Sequence, residues 1–172
     1  MPSPDAPPGR PAPKGLYLQY SVGPHACCLP CSWVEQVVPR VEVTPIPEAP
    51  GHVHGLLRYH GGVVPVIDLC TLLIHQPAAV KLSSRIILLR RAPNLPGAVL
   101  GVLAEKVLNV LEFSEDDCRF SGLPGAVAGL MSGRVADTPA GLIHILEPAR
   151  LLALGAPPTA GVTLTAVSPE PA

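Results

Sequence analysis

Proline fills 23 of the 172 positions, about 13% of the chain against a usual level of about 5%. Proline has no amide donor and breaks helix interiors, so this density excludes a bundle of long helices and favours short strands and turns. The prolines are unevenly placed. Pro2, Pro4, Pro7, Pro8, Pro11 and Pro13 precede Gly15, and Pro157, Pro158, Pro169 and Pro171 follow Gly155. Residues 1–14 and 155–172 are therefore expected to be disordered, proline-rich tails around a folded part at 15–154. Hydrophobic residues make up 48% of the sequence, enough for that part to build a core.

Within 15–154 the apolar pattern is one of short strands. Leu16–Tyr20 and Ala26–Leu29 flank the turn-like Ser21-Val-Gly-Pro-His25, a first hairpin. Ser32 stands where a helix N-cap belongs, ahead of Trp33–Val38, which reads as a helical turn or two stopped by Pro39. Gly55–His60 and Val63–Ile67 form a second hairpin whose turn glycines, Gly61 and Gly62, would supply positive φ angles, with Pro65 marking an edge or bulge. Asp68 can cap the short segment Leu69–Leu73. Arg85–Arg90, Ala98–Ala104, Glu105–Phe113, Val127–Met131 and Leu142–Leu146 continue as strands, and Glu147–Leu152 closes with a short helix that has Pro148 in its first turn. Val64–Leu73 and Leu142–Leu152 echo each other: an apolar strand, an acid, then a short helix ending in Leu-Leu. The pattern predicts an all-β fold of two similar lobes, small barrels or a sandwich, with short helices.

Several function classes drop out at once. Twelve Lys and Arg against thirteen Asp and Glu, scattered along the chain, leave no electrostatic footprint for nucleic acid or an anionic membrane. No apolar run reaches the ~18 residues of a membrane span, and the N-terminus has no apolar segment of the signal-peptide kind, so a cytoplasmic location is expected. Five cysteines fit reduced thiols better than a disulfide framework. Cys28-Leu-Pro-Cys31 has the spacing of a thiol-disulfide oxidoreductase, in which a helix N-terminus lowers the first thiol's pKa; burial in the core is the simpler reading. His52, His54 and His60 could be drawn into a metal site with those cysteines, but the ligand-pair spacing of zinc modules is absent, and no metal is expected. The glycines form no phosphate-binding fingerprint. Ser83-Ser84, Ser132-Gly133, His144 and the acidic run Glu115–Asp117 assemble no nucleophile with a base. Neither an enzyme nor a cofactor is expected.

Four stretches, in order, carry a resemblance. Leu29-Pro-Cys-Ser-Trp-Val-Glu-Gln-Val-Val is similar to "LPxxxVxEVv". Pro47-Glu-Ala-Pro50 followed by Val53-His-Gly-Leu-Leu-Arg-Tyr-His-Gly-Gly-Val-Val-Pro-Val-Ile-Asp-Leu69 is similar to "P.aP..v.GvinlRG.vvPviDL". Gly101–Val110 is similar to "GllVDeVxxV", and Leu142–Leu152 to "liLDlxxLL". Together they resemble the CheW family of chemotaxis coupling proteins from about Leu16 to Leu154.

The resemblance implies two five-stranded SH3-like β-barrels and a non-enzymatic adaptor. Such a protein joins the cytoplasmic tip of a methyl-accepting chemoreceptor to the regulatory domain of a CheA-type histidine kinase, and is recruited to membrane receptor arrays without inserting in the bilayer. It places Val34, Gln36, His60, Ile86 and Val110 at receptor-groove positions, and the apolar Val34, Ile86, Val110 and Leu111 are expected at or just under the surface. Two positions depart from the pattern: Gln36 stands for the family's Glu and His60 for its Arg. Two readings stand for this pair of changes: a coupled replacement in which a Gln36 to His60 hydrogen bond takes the place of a salt bridge, and simple drift at an exposed pair that contributes little. Leu82-Ser-Ser-Arg-Ile and the Gly55–Gly61 segment resemble the accessory coupling proteins of Wsp-type surface-sensing pathways, whose cyclic-di-GMP output is made by a separate protein.

Overall fold

The computed structural model describes residues 14–120 and 131–155. The expected tails up to residue 13 and from residue 156, and most of the strand expected over Val127–Met131, lie outside the described residues. Eleven strands and two short helices are described in two sheets.

The second lobe in space is built from the middle of the chain. It comprises β3 (Val34–Pro39), β4 (Val53–Tyr59), β5 (Gly62–Asp68), β6 (Arg85–Arg90) and β7 (Ala98–Ala104), in the order β3-β6-β7-β5-β4. The end strands approach each other. Thr44, beyond the end of β3, exchanges two backbone bonds with Leu56 of β4 (2.9 and 2.8 Å), and the Tyr59 hydroxyl of β4 donates to Gln36 of β3 at 2.6 Å. These contacts draw the five strands toward a closed, SH3-like form, joined across the two outer strands at the isolated Thr44–Leu56 bridge. Gly55 makes the Thr44 crossing possible: its φ is 151°, and a Cβ there would lie 2.6 Å from the Thr44 carbonyl oxygen. Pro65 sits in β5 one residue before the parallel pairing with β7 begins at Val66, so its missing N–H breaks no bond of that ladder.

The first lobe joins both ends of the described chain. It holds β1 (Gly15–Val22), β2 (His25–Pro30), β8 (Lys106–Phe113), β9 (Cys118–Phe120), β10 (Met131–Thr138) and β11 (Gly141–Leu146), ordered β8-β1-β2-β11-β10-β9. It thus has the five strands expected plus the three-residue β9 at one end. The sequence echo is realised in both lobes. β5 pairs in parallel with β7 and β11 in parallel with β2, and each leads through one acidic residue into a short helix, α1 (Leu69–Ile74) or α2 (Pro148–Gly155).

Two expectations change. Trp33–Val38 is no helix: a 3-10 turn at Cys31–Trp33 delivers the chain directly into β3. The cap-like Ser32 is outweighed by the β-branched Val34, Val37 and Val38, which stand against Leu89, Ile87 and Ile86 of β6. The second hairpin also turns one residue earlier than expected, with positive φ at His60 (46°) and Gly61 (78°) rather than at the two glycines.

The lobes share one core. Its larger cluster combines Leu18, Tyr20, Val22, Cys27 and Leu29 of the first lobe with Val66, Ile67, Ile86–Leu89 and Leu100–Ala104 of the second, closed by Leu69 of α1 and Leu151 of α2. A smaller cluster of Cys28, Phe113, Ala136, Ile143 and Ile145 fills the far side of the first sheet.

Candidate partner-binding face

Val34 and Gln36 lie on β3, and His60 on the β4–β5 turn, which the tertiary fold brings to one end of the second lobe. Gln36 and His60 are both exposed and Val34 is half-buried. The bond expected between Gln36 and His60 is replaced by another: Gln36 Oε1 accepts from the hydroxyl of Tyr59. The Tyr59 ring is itself stacked on the His60 imidazole, with centroids 4.0 Å apart and planes 10° from parallel. Tyr59 therefore links the two positions. Pattern reading passed over it because a tyrosine in an alternating strand reads as core. Its ring does pack against the main cluster; the overlooked signal was the polar tip, which such rings turn outward.

The acid next to Gln36 in sequence is already committed. Glu35 Oε2 lies 3.0 Å from Arg90 Nε and accepts from the Gly97 N–H, while Arg90 Nε also donates to the Val34 carbonyl at 3.1 Å. The acid adjacent to Gln36 in sequence is thus held by β6 and the loop after it.

Val110 is exposed on β8, opposite Leu18 of β1. The start of β1 packs on the 3-10 turn that leads to Val34, so the two valines sit on elements joined through β1, one from each lobe. Leu111 is half-buried against the smaller cluster. Ile86 is the correction: it has 0% exposure, and its Cγ2 would touch a Cβ added to Gly101 at 3.0 Å. The inward face of β6 carries it into the main core, where no partner can reach it.

The oxidoreductase alternative loses its chemical basis. Cys28 lies inside β2 and faces the smaller cluster, while Cys31 packs on the larger one. Burial is the first cause that pushes the Cys28 thiol up to about 12, and it also raises that of Cys31. A redox nucleophile needs the opposite shift. His52 lends its carbonyl to the Asp68 N–H, and burial followed by nearby Arg40 lowers the pKa of His54. Among the described residues no group of three or more His, Cys, Asp or Glu is placed to hold a metal ion. His144 stands edge-on to His25 at 5.9 Å, its pKa lowered by burial first and then by that neighbour. Ser84 is a loop fastener: its hydroxyl accepts from the Lys81 N–H and donates to the Ala79 carbonyl. The acidic run forms a 3-10 turn in which Asp117 accepts from the backbone and hydroxyl of Ser114.

Comparison with known proteins bears on this arrangement. The model of the CheW-like domain family matches residues 16–155. The chemotaxis protein CheW of Thermotoga maritima is 25% identical over 99 residues, which are 58% of this chain and 62% of that protein; the match spans less than two thirds of that relative's length. The crystal structure of the scaffolding protein TtCheW from Thermoanaerobacter tengcongensis shares the fold, with a TM-score of 0.68 at 23% identity over 78% of this chain and 90% of that one. With a family model covering most of its length and the same two-lobed β architecture, the chain belongs to the CheW-like domain family.

Proposed function

We propose that this protein is a non-catalytic adaptor that couples the cytoplasmic tip of a chemoreceptor to the regulatory domain of a CheA-type histidine kinase. One observation carries the reading. Positions far apart in sequence, Gln36 on one side and Tyr59 and His60 on the other, form a joined unit that exposes Gln36 and His60 and is held by the 2.6 Å bond to Gln36 and the Tyr59–His60 stack. The thiols, the other chemically suggestive feature, are turned away from reactivity: Cys28 is buried, Cys31 is half-buried, and burial raises the pKa of both. An aromatic ring and aliphatic side chains on a preorganised surface suit protein recognition. Membership in the CheW-like family supports the choice of partners, and the protein would act in the cytoplasm, recruited to receptor arrays by those contacts.

The test is binding of the purified protein to a receptor cytoplasmic hairpin and, separately, to the kinase regulatory domain, both from the same genome. Val110→Asp on exposed β8 should abolish receptor binding while leaving circular dichroism and the melting temperature unchanged. Retained binding by this variant removes β8 from the receptor site, and failure of the wild-type protein to bind either partner removes the adaptor reading.

A further inference from the structure

Resting on the adaptor reading, the structure assigns Tyr59 a specificity-determining role: it fixes which way the Gln36 carboxamide points and so the kind of group a partner must present there. The Tyr59 hydroxyl donates to Gln36 Oε1 at 2.6 Å, which takes up the oxygen end of the amide. The Nε2 end, with two N–H donors, is left for an exposed side chain to offer outward. Tyr59 is held in turn by the main core on one side and by the stacked His60 ring on the other, so the hydroxyl arrives at Gln36 from a fixed direction.

A glutamate at position 36 would accept the same Tyr59 bond and keep a negative charge and acceptors toward the partner; Gln36 presents donors instead. With Glu35 engaged by Arg90 and the Gly97 N–H, no neighbouring carboxylate on β3 restores the acceptor character. The partner complementary to this face carries a hydrogen-bond acceptor, a carboxylate or carboxamide oxygen, opposite Gln36, beside an apolar surface that lies against the Tyr59 and His60 rings. A basic residue there would meet two donors and lose its pairing.

The experiment combines two readouts on the full chain. In nitrogen-edited NMR, the side-chain amide of Gln36 should give a distinct pair of proton signals in the wild type that collapses toward the free-amide position in Tyr59→Phe, which keeps the ring and removes the hydroxyl. Identical Gln36 signals in the two proteins overturn the contact, and a strong NOE in the wild type from a Gln36 Nε2 proton to the Tyr59 ring, which requires the flipped amide donating to the hydroxyl oxygen, overturns the orientation. In titrations with the receptor hairpin used above, Gln36→Glu should weaken binding at least tenfold, and Tyr59→Phe by a smaller factor of about three to ten. Equal binding by wild type, Gln36→Glu and Tyr59→Phe overturns the specificity role while leaving the adaptor reading intact. Absence of binding by the wild type fails the adaptor reading and the role in recognition together, while the NMR comparison still decides the orientation. Unchanged melting temperatures for both variants separate these outcomes from loss of fold.

Discussion

Asp68 is the residue whose replacement the fold should tolerate least for its size. It is 4% exposed and does two things with its two oxygens. Oδ1 caps α1, accepting from the N–H of Cys70 at 2.9 Å and of Thr71 at 3.4 Å. Oδ2 accepts from the N–H of Ala78 at 2.8 Å, which ties down the loop between α1 and β6. Asp68→Asn keeps the shape and one acceptor. If the amide oxygen keeps the cap, the NH2 group faces the Ala78 N–H, donor against donor. Leaving that buried N–H unsatisfied costs about 1–3 kcal/mol, and exchanging a charged for a neutral acceptor at the cap loses about 1 kcal/mol more. The sum, about 2–4 kcal/mol, is close to that for Asp68→Ala, where a lost cap of about 1 kcal/mol adds to the same orphaned N–H. The near-isosteric substitution should therefore be about as damaging as the truncation. Urea unfolding followed by tryptophan fluorescence reads this as a midpoint lowered by about 1–2 M for a slope near 2 kcal/mol/M. An Asn variant within about 0.5 kcal/mol of wild type, with Ala well below both, would refute the role assigned to Oδ2.

Three further outcomes are expected. The Tyr20 hydroxyl is fully buried with no hydrogen-bond partner among the described residues, so Tyr20→Phe should leave stability unchanged or raise it by about 1 kcal/mol; a loss above 1 kcal/mol in urea would show that the hydroxyl is satisfied in solution. Burial pushes the Cys27 and Cys28 thiols up to about 12, so above a pH of about 9 the unfolded chain ionises first and holds fewer protons. The stability these thiols contribute is whole below that pH and declines as pH rises toward 12, by at most about 1.4 kcal/mol per pH unit for each. Wild type should accordingly lose ground against Cys28→Val in urea melts from pH 8.5 to 10.5, and a constant difference would contradict the burial. His60 adopts a left-handed backbone that disfavours a side chain, so His60→Gly should stabilise the hairpin by up to about 1 kcal/mol, and a markedly lower melting temperature would mean that the stack on Tyr59 outweighs the strain.

Much of the fold was readable because local and global preferences agree. The two hairpins, the Asp68 cap and the proline at the start of α2 each rest on residues whose neighbours in sequence are also their structural partners. What escaped depends on distant strands. Val34–Val38 became β3 because β6, some fifty residues on, offers Leu89, Ile87 and Ile86 to pair with. Ile86 was expected near the surface, yet in β6 four consecutive residues, Ile86 to Leu89, are all buried: one face of the strand meets its own lobe and the other is covered as well, so alternation says nothing about which residue is outside. The candidate face shows the same division. Gln36 and His60 could be picked out from sequence, and the polar tip of Tyr59 was a signal too, but that Tyr59 joins them was not legible, because the approach of β4 to β3 goes with the Thr44 crossing and not with any spacing along the chain.

The cysteines show how one local pattern acquires its meaning from tertiary context. In β2, Cys27 and Leu29 point to the larger cluster and Cys28 to the smaller, as the two-residue period of a strand requires. β2 is thus buried on both faces: on one side it is packed with the second lobe, on the other with β11 residues and Phe113 of its own lobe. Such a strand selects small apolar side chains, and cysteine serves as one. The chain then leaves β2 through Pro30 into the 3-10 turn, where Cys31 packs back on the larger cluster. The spacing that suggests a redox pair is produced by a strand that alternates between two cores and a turn that returns to the first. That shared packing joins the two lobes through one core, and the elements built on it carry Val34 in one lobe and Val110 in the other.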